Sequence, residues 1–322
     1  MKSSYDVLGI GAPIVDYIVH VGEEFLHNNQ IEKGGMVLVD EPTFTRLLEK
    51  TSLTPIRTAG GSAANTIKGL TKLNNRCGFV GKIGKDEPGH FFRDHFVSSQ
   101  IHPHLIPSSY HTAKALTLIT PDGQRTFRTF IGAGMQLTGD DIKEEFCHKT
   151  RLVHLEGYLL NNGDLVERAM EMSKAAGAKI SLDLASFEIV TQFRERLIRL
   201  IPSYVDVLFA NDQETTALTG KGPEESVEIV RDMCETVVLF EGPEGCWVGQ
   251  GIKKVHCPAF PVKPVDTIGA GDLFGSGFLH GYLQGLPVEE CARYGALTGR
   301  AVVSGVGADI TEKEWERVFR EM

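Results

Sequence analysis

Long apolar runs are missing from this 322-residue chain: none reaches 18 residues, so no stretch reads as a membrane-spanning helix. Positive charge is also short. The 33 Lys and Arg against 42 Asp and Glu leave a net charge of −9, which removes the field that nucleic acid or an anionic membrane would need. The six cysteines (Cys77, Cys147, Cys234, Cys246, Cys257, Cys291) lie far apart, without C-x-x-C or histidines at zinc-finger spacing. That excludes a zinc ribbon and fits a reduced compartment. The run Met1 to Asp6 leads into a short apolar strand with no signal-peptide core or cleavage site, so a cytoplasmic location is expected. Common catalytic signatures are absent too: there is no G-x-x-x-x-G-K-[ST], no H-E-x-x-H and no G-x-S-x-G. Gly9-Ile10-Gly11-Ala12-Pro13 holds Ile14 where a dinucleotide fingerprint needs its third glycine. A Walker-type ATP site, a zinc protease, an esterase and a nicotinamide-dependent oxidoreductase are thereby set aside.

What is present is an ordinary globular balance, 42% hydrophobic and 23% charged residues, in a βαβ rhythm. Apolar runs at Val7–Gly11, Gly78–Lys82, Leu152–Leu155, Lys179–Leu184, Val205–Ala210 and Thr236–Phe240 alternate with helix-like segments at Thr66–Leu73, Gly89–Ser98, Leu165–Ala176 and Glu225–Cys234. This predicts an α/β fold, a mostly parallel sheet with helices on both faces. No repeat or Pro-rich linker divides the chain, so one domain over 1–322 is expected. Two segments, about 14–56 and 113–131, break the rhythm. In the second, two apolar stretches flank Pro121-Asp122-Gly123-Gln124, a hairpin turn in which Pro presets φ and Gly tolerates φ > 0. The segments fit a small sheet standing over the main one as a lid, or an antiparallel edge added to the main sheet. Three helices follow strands near Cys246–Gly249 and Lys253–Cys257, and Thr311-x-x-Glu314 has the form of a capping box starting the last of them.

The most informative stretch is Asp266-Thr267-Ile268-Gly269-Ala270-Gly271-Asp272, running into an apolar helix. A glycine-rich turn opening a helix presents free backbone N–H groups and the positive end of the helix dipole, which is an anion site. Asp272 on that first turn is either a dipole partner alone or a proton acceptor beside the anion. Transfer of a phosphoryl group to an alcohol needs both features: amides at Gly269, Ala270 and Gly271 to neutralise the moving group, and a carboxylate to take the hydroxyl proton. Gly60-Gly61-Ser62-Ala63-Ala64-Asn65 is a second small-residue turn into a helix, and Asp16 interrupts an apolar run after the first strand. Its carboxylate must meet water, a partner or a ligand.

Together these residues resemble the PfkB or ribokinase-like carbohydrate and nucleoside kinases. Gly60-Gly61 with Asn65 and the Asp266–Asp272 run match that family's two signatures, Asn211-Asp212-Gln213-Glu214 stands at its N-x-x-E position, and the likeness extends from Tyr5 to about residue 310. The resemblance implies a ribokinase-like three-layer α/β/α fold with a small β-sheet lid, and an ATP-dependent kinase acting on a small molecule. It makes Asp272 the catalytic base, the Gly269–Gly271 amides the anion hole, and Asp16, Gly60, Gly61 and Asn65 the substrate contacts. Asn211 and Glu214 would organise the triphosphate and its Mg²⁺ through water, without a direct protein-only Mg²⁺ site; helix capping is the plainer role for the pair. Thr267, Gly242 and Gly245 fall in nucleotide positions, although Phe240-Glu241 departs from the Thr or Ser expected there. Some relatives bind a monovalent cation beside the anion hole through main-chain oxygens near the positions of Asp266, Ile268, Val302, Gly305 and Gly307, so K⁺ is an added expectation.

The stripe Cys291, Ala292, Gly295, Ala296, Gly299 predicts close helix packing or a flat base lying on the helix. Arg128 on the hairpin reads as a phosphate contact on lid closure or a solvated strand residue, and His102-Pro103-His104 as a surface turn. For the acceptor, Lys33-Gly34-Gly35-Met36 and Gly60–Lys68 resemble bacterial members that act on adenosine, whereas Glu156 stands where some sugar kinases aim a carboxylate at the sugar. Adenosine converted to AMP is the first expectation, a ribokinase- or fructokinase-like activity the second, and a non-catalytic nucleoside or sugar sensor the third. A monomer or a homodimer is expected.

Overall fold

The computed structural model describes residues 5–322, and the run Met1–Ser4 read for a leader lies outside them. Along the chain the strands are β1 (Val7–Ile10), β2 (Ile14–His20), β3 (Met36–Leu38), β4 (Ile56–Gly60), β5 (Cys77–Gly84), β6 (His102–Ser108), β7 (Ala113–Ile119), β8 (Arg125–Phe130), β9 (Leu152–Glu156), β10 (Lys179–Asp183), β11 (Val207–Ala210), β12 (Thr236–Phe240), β13 (Cys246–Gln250) and β14 (Lys253–Cys257). Nine of them form one sheet in the order β14-β13-β12-β11-β10-β9-β1-β5-β6. The pairings from β12 through to β6 are parallel, and the β12-β13-β14 meander adds the antiparallel edge.

Helices cover both faces, so the inner strands are apolar on both sides and read as unbroken runs rather than alternating ones. Alternation persists in where each side chain goes. Leu8, Ile10, Leu208 and Ala210 join the core beneath the helices Leu165–Ala175 and Phe187–Tyr204. Val7, Val207 and Phe209 join the opposite core with Phe274 and Phe278 of the helix Ala270–Leu283. No helix among the described residues is long and apolar enough to cross a membrane.

The remaining strands make a separate sheet in the order β3-β8-β7-β2-β4, so the irregular segments do not extend the main sheet's edge. Its last strand runs to Gly60, four residues past the expected limit. The β7–β8 turn closes as the Pro-Asp-Gly-Gln motif predicts: Gly123 has φ +82°, and Thr120 N–H donates to Gln124 O at 3.0 Å. Thr311 caps the terminal helix, accepting from Glu314 N–H at 3.3 Å. His102-Pro103-His104 is not a turn. It opens the edge strand β6, where the missing N–H of Pro is tolerated.

The small-residue stripe on the helix Val288–Val303 packs close, as expected. A Cβ added at Gly295 would stand 2.5 Å from the Phe274 ring, while Ala296 and Gly299 border the cavity described next.

Candidate active site

A cavity of about 1150 Å³ opens at the carboxyl edge of the parallel strands, under the second sheet. Strand ends supply its floor: Ala12 after β1, Glu156 closing β9, Asp183 closing β10, Asn211 after β11 and Phe240 closing β12. β1 lies between β5 and β9, so the chain leaves it in opposite directions on its two sides, and ligands of open α/β sheets bind at such a switch point.

Asp272 is the third residue of the helix Ala270–Leu283 and lines the cavity. Gly269, at φ +70°, lets the chain turn sharply into the helix, and a Cβ there would also stand 2.6 Å from that of Ala308. The Asp272 carboxylate accepts from Ser62 Oγ at 2.8 Å and Asn65 Nδ2 at 2.9 Å, so the two glycine-rich turns of the sequence meet on one oxyacid. The Asn65 Oδ1 is buried with no partner among the described residues. Of the three amides expected to receive an anion, Ala270 N–H donates to Thr267 O at 3.2 Å. Gly271 N–H lies in the first helical turn, where no intrahelical acceptor exists.

Burial pushes the Asp272 carboxyl up to about 6, with the Asn65 and Ser62 hydrogen bonds and the Lys68 charge pulling it back. A base must be ionised to accept a proton. The kcat/KM for phosphoryl transfer is therefore expected to fall by about tenfold per pH unit below that value. Initial rates of ADP release against pH check this, and a profile flat through that range would take Asp272 out of the reaction.

Asp16 stands on β2 beside Gly60 on the neighbouring strand. A Cβ at Gly60 would lie 2.0 Å from Asp16 Oδ2, so the glycine makes room for the carboxylate. Burial raises the Asp16 carboxyl to about 7 against the pull of Lys68. Glu156 is almost fully enclosed, and both its oxygens are turned to backbone: Oε1 accepts from Ala12 N–H at 2.9 Å and Oε2 from Ala63 N–H at 2.8 Å. It clamps the two places where the chain passes between the sheets, and it also lines the cavity.

Asn211 and Glu214 cap their own helix. Asn211 Oδ1 accepts from Glu214 N–H at 2.8 Å, and Glu214 accepts from Asn211 N–H at 2.9 Å. Both still line the cavity. Asp183 was not singled out in the sequence, though a carboxylate closing a parallel strand is the signal that finds it. Burial, then the neighbouring Glu214, raises its carboxyl well above the usual range. Burial likewise raises Glu214 to about 7. Asp183, Glu214 and Asp272 all line the cavity, but among the described residues no group of three or more carboxylate, histidine or cysteine side chains is spaced to hold a metal ion directly. Gly242, Gly245 and Thr267 lie on the same wall, with the Phe240 ring in the place of a hydroxyl.

Of the positions named for a monovalent cation, Asp266 is the one with a charged side chain. Asp266 is buried; its Oδ1 accepts from Ile268 N–H at 3.0 Å, its Oδ2 from Gly307 N–H, and Arg125 Nη2 approaches Oδ2 at 2.7 Å. Arg128 neither faces the cavity nor is solvated. It is buried on the far side of β8 and donates to Phe127 O at 2.8 Å. Strand alternation decides this, because Phe127 and Thr129 face the cavity and the even positions face away.

Residues 50–315 match the family of pfkB carbohydrate kinases. The adenosine kinase of Sinorhizobium meliloti is 30% identical and superimposes with a TM-score of 0.89 over 99% of this chain and 100% of its own. A probable sugar kinase from Rhizobium etli CFN 42 is 29% identical, with a TM-score of 0.89 over 98% of each chain. Among curated relatives, the probable fructokinase-7 of Arabidopsis thaliana is 28% identical over 77% of this chain and 73% of its own.

Proposed function

Because the chain belongs to the pfkB family of carbohydrate kinases, and so is a kinase of a sugar or nucleoside, we propose that its acceptor is adenosine, converted with ATP to AMP and ADP. The observation that carries this reading is the character of the cavity on the second-sheet side. Next to Asp16 the wall is Met36, Leu38, Phe127, Ile131 and Met135, apolar groups with Met36 and Leu38 about half exposed to the opening. A purine beyond the anomeric carbon would cover that surface with a flat face, and methionines adapt to such rings. A free hexose would bring several hydroxyls against this apolar stretch, where Thr129 offers a single polar group, at a cost of about 1–3 kcal/mol for each one buried unpaired.

In this reading the ribose diol bonds the Asp16 carboxylate through both oxygens, which aims the primary hydroxyl at Asp272. Asp272 takes that proton as the oxygen attacks the γ-phosphorus, while amides of the 269–271 turn and the helix dipole offset charge on the transferred group. Asn211 and Glu214 would hold Mg²⁺ through water, and the ion would supply charge neutralisation for the triphosphate when bound. Adenosine enters first, the second sheet closes as a lid, and water is excluded before ATP reacts.

The S. meliloti adenosine kinase, alike over its whole length, supports the nucleoside reading. The R. etli sugar kinase, equally alike in fold, supports the alternative of a ribokinase- or fructokinase-like activity. Calorimetric titration with adenosine, ribose and fructose separates them. Adenosine is expected to bind at least tenfold more tightly than either sugar, since the ring buries apolar wall that a sugar leaves open. Tight binding of a sugar with no heat from adenosine would reverse the assignment.

A further inference from the structure

We propose that the Arg125 guanidinium does from within the chain what a bound monovalent cation would do at Asp266, so that this kinase needs no K⁺. The inference rests on the kinase assignment but not on the identity of the acceptor.

The carboxylate of Asp266 is the one formally charged group among the five positions expected to hold such an ion. Its two oxygens already accept the amides of Ile268 and Gly307, and Arg125 Nη2 stands 2.7 Å from Oδ2 as an ion pair. The ion pair is sheltered, with side-chain exposures of 10% for Arg125 and 1% for Asp266. In such surroundings a guanidinium cancels the carboxylate's charge. A potassium ion added at main-chain oxygens beside this carboxylate would find its charge already cancelled and would meet a second positive charge nearby, repelled more strongly than in water. The residues therefore do not fit the ion.

Position gives the pair a purpose. Arg125 opens β8 and shares its cavity-side face with Phe127 and Thr129, so it belongs to the second sheet. Asp266 begins the turn that carries the anion-binding amides and, six residues on, Asp272. The bridge ties the sheet over the substrate to the turn beneath the phosphoryl group. Arg125 itself does not line the cavity, and its Nη1 is buried with no partner among the described residues. It is a positioning residue, acting through Asp266.

Steady-state ADP release, with an acceptor that supports turnover, is compared in KCl, NaCl and tetramethylammonium chloride at equal ionic strength. The comparison covers the unaltered chain, Arg125→Gln and Arg125→Lys, and thermal unfolding is followed in the same salts. The unaltered chain is expected to vary by less than about twofold between salts and to unfold at the same temperature in each. Arg125→Gln is expected to lose about tenfold or more in kcat, because Asp266 is left charged and buried, with a gain specific to K⁺. Arg125→Lys is expected to keep most of the rate and to remain indifferent to K⁺. A tenfold K⁺ activation of the unaltered chain, a K⁺-specific rise in its unfolding temperature, or an Arg125→Gln variant with full activity would each overturn the proposal. Should no acceptor yield ADP, the functional reading fails alone, since the unfolding measurements on the unaltered chain still decide the cation question.

Discussion

Asp272→Asn is expected to slow ADP release by about 10²- to 10⁴-fold, the range a positioned general base contributes. Asparagine keeps the shape of the side chain and can still accept a hydrogen bond from Ser62 or Asn65, which hold the carboxylate at 2.8 and 2.9 Å. What it lacks is the capacity to take a proton. The loss should therefore fall on kcat, with the KM for ATP and the acceptor nearly unchanged, and with the unfolding temperature close to that of the parent. The raised carboxyl, at about 6, makes the same point from another side, since a base that holds its proton more tightly than an exposed carboxylate does is better matched to a hydroxyl at neutral pH. Equal rates for the two proteins would mean that the anion-binding turn works with some other base, or that the chain binds its ligands without reaction.

The second large effect belongs to Asp16. Asp16→Asn is expected to lower kcat/KM for the acceptor by about 10²-fold, since each charge-assisted hydrogen bond to a buried carboxylate is worth roughly 1.5–3 kcal/mol. The KM for ATP should stay as it was, because Asp16 stands on β2 of the second sheet, where the proposed acceptor would bind. Kinetics at saturating ATP with varied acceptor measure this directly, and an unchanged acceptor KM would move the diol elsewhere. Asparagine is nearly isosteric, and the gap left by Gly60 admits it, so a failure to fold is not the expected result.

Much of this site can be read locally. The turn at 266–271 and the acid that follows it announce themselves because positive φ, free amides and a helix dipole are properties of a few adjacent residues. The hairpin at 121–124 is legible for the same reason, as are the inner strands, whose runs of apolar residues reflect burial on both faces. Other features had no local signature. Glu156 looks like a free carboxylate next to a strand end, and only the approach of Ala12 and Ala63 shows that backbone amides occupy it. On the hairpin the sequence reading named Arg128 alone, and Arg125 went unnoticed. The alternation of β8 was available in principle, since Phe127 is apolar, but which face looks toward the cavity follows from how the second sheet stacks on the first.

The sequence alone determined the α/β layering, the helix that presents Asp272 and membership of a kinase family, because each rests on periodicity, turn chemistry or a contiguous motif. Tertiary structure decided which carboxylates remain open to a ligand, which are clamped by amides and which cation neutralises Asp266. Charge state and hydrogen-bond occupancy depend on desolvation and on partners tens or hundreds of residues away, and neither is encoded in the spacing of neighbours along the chain.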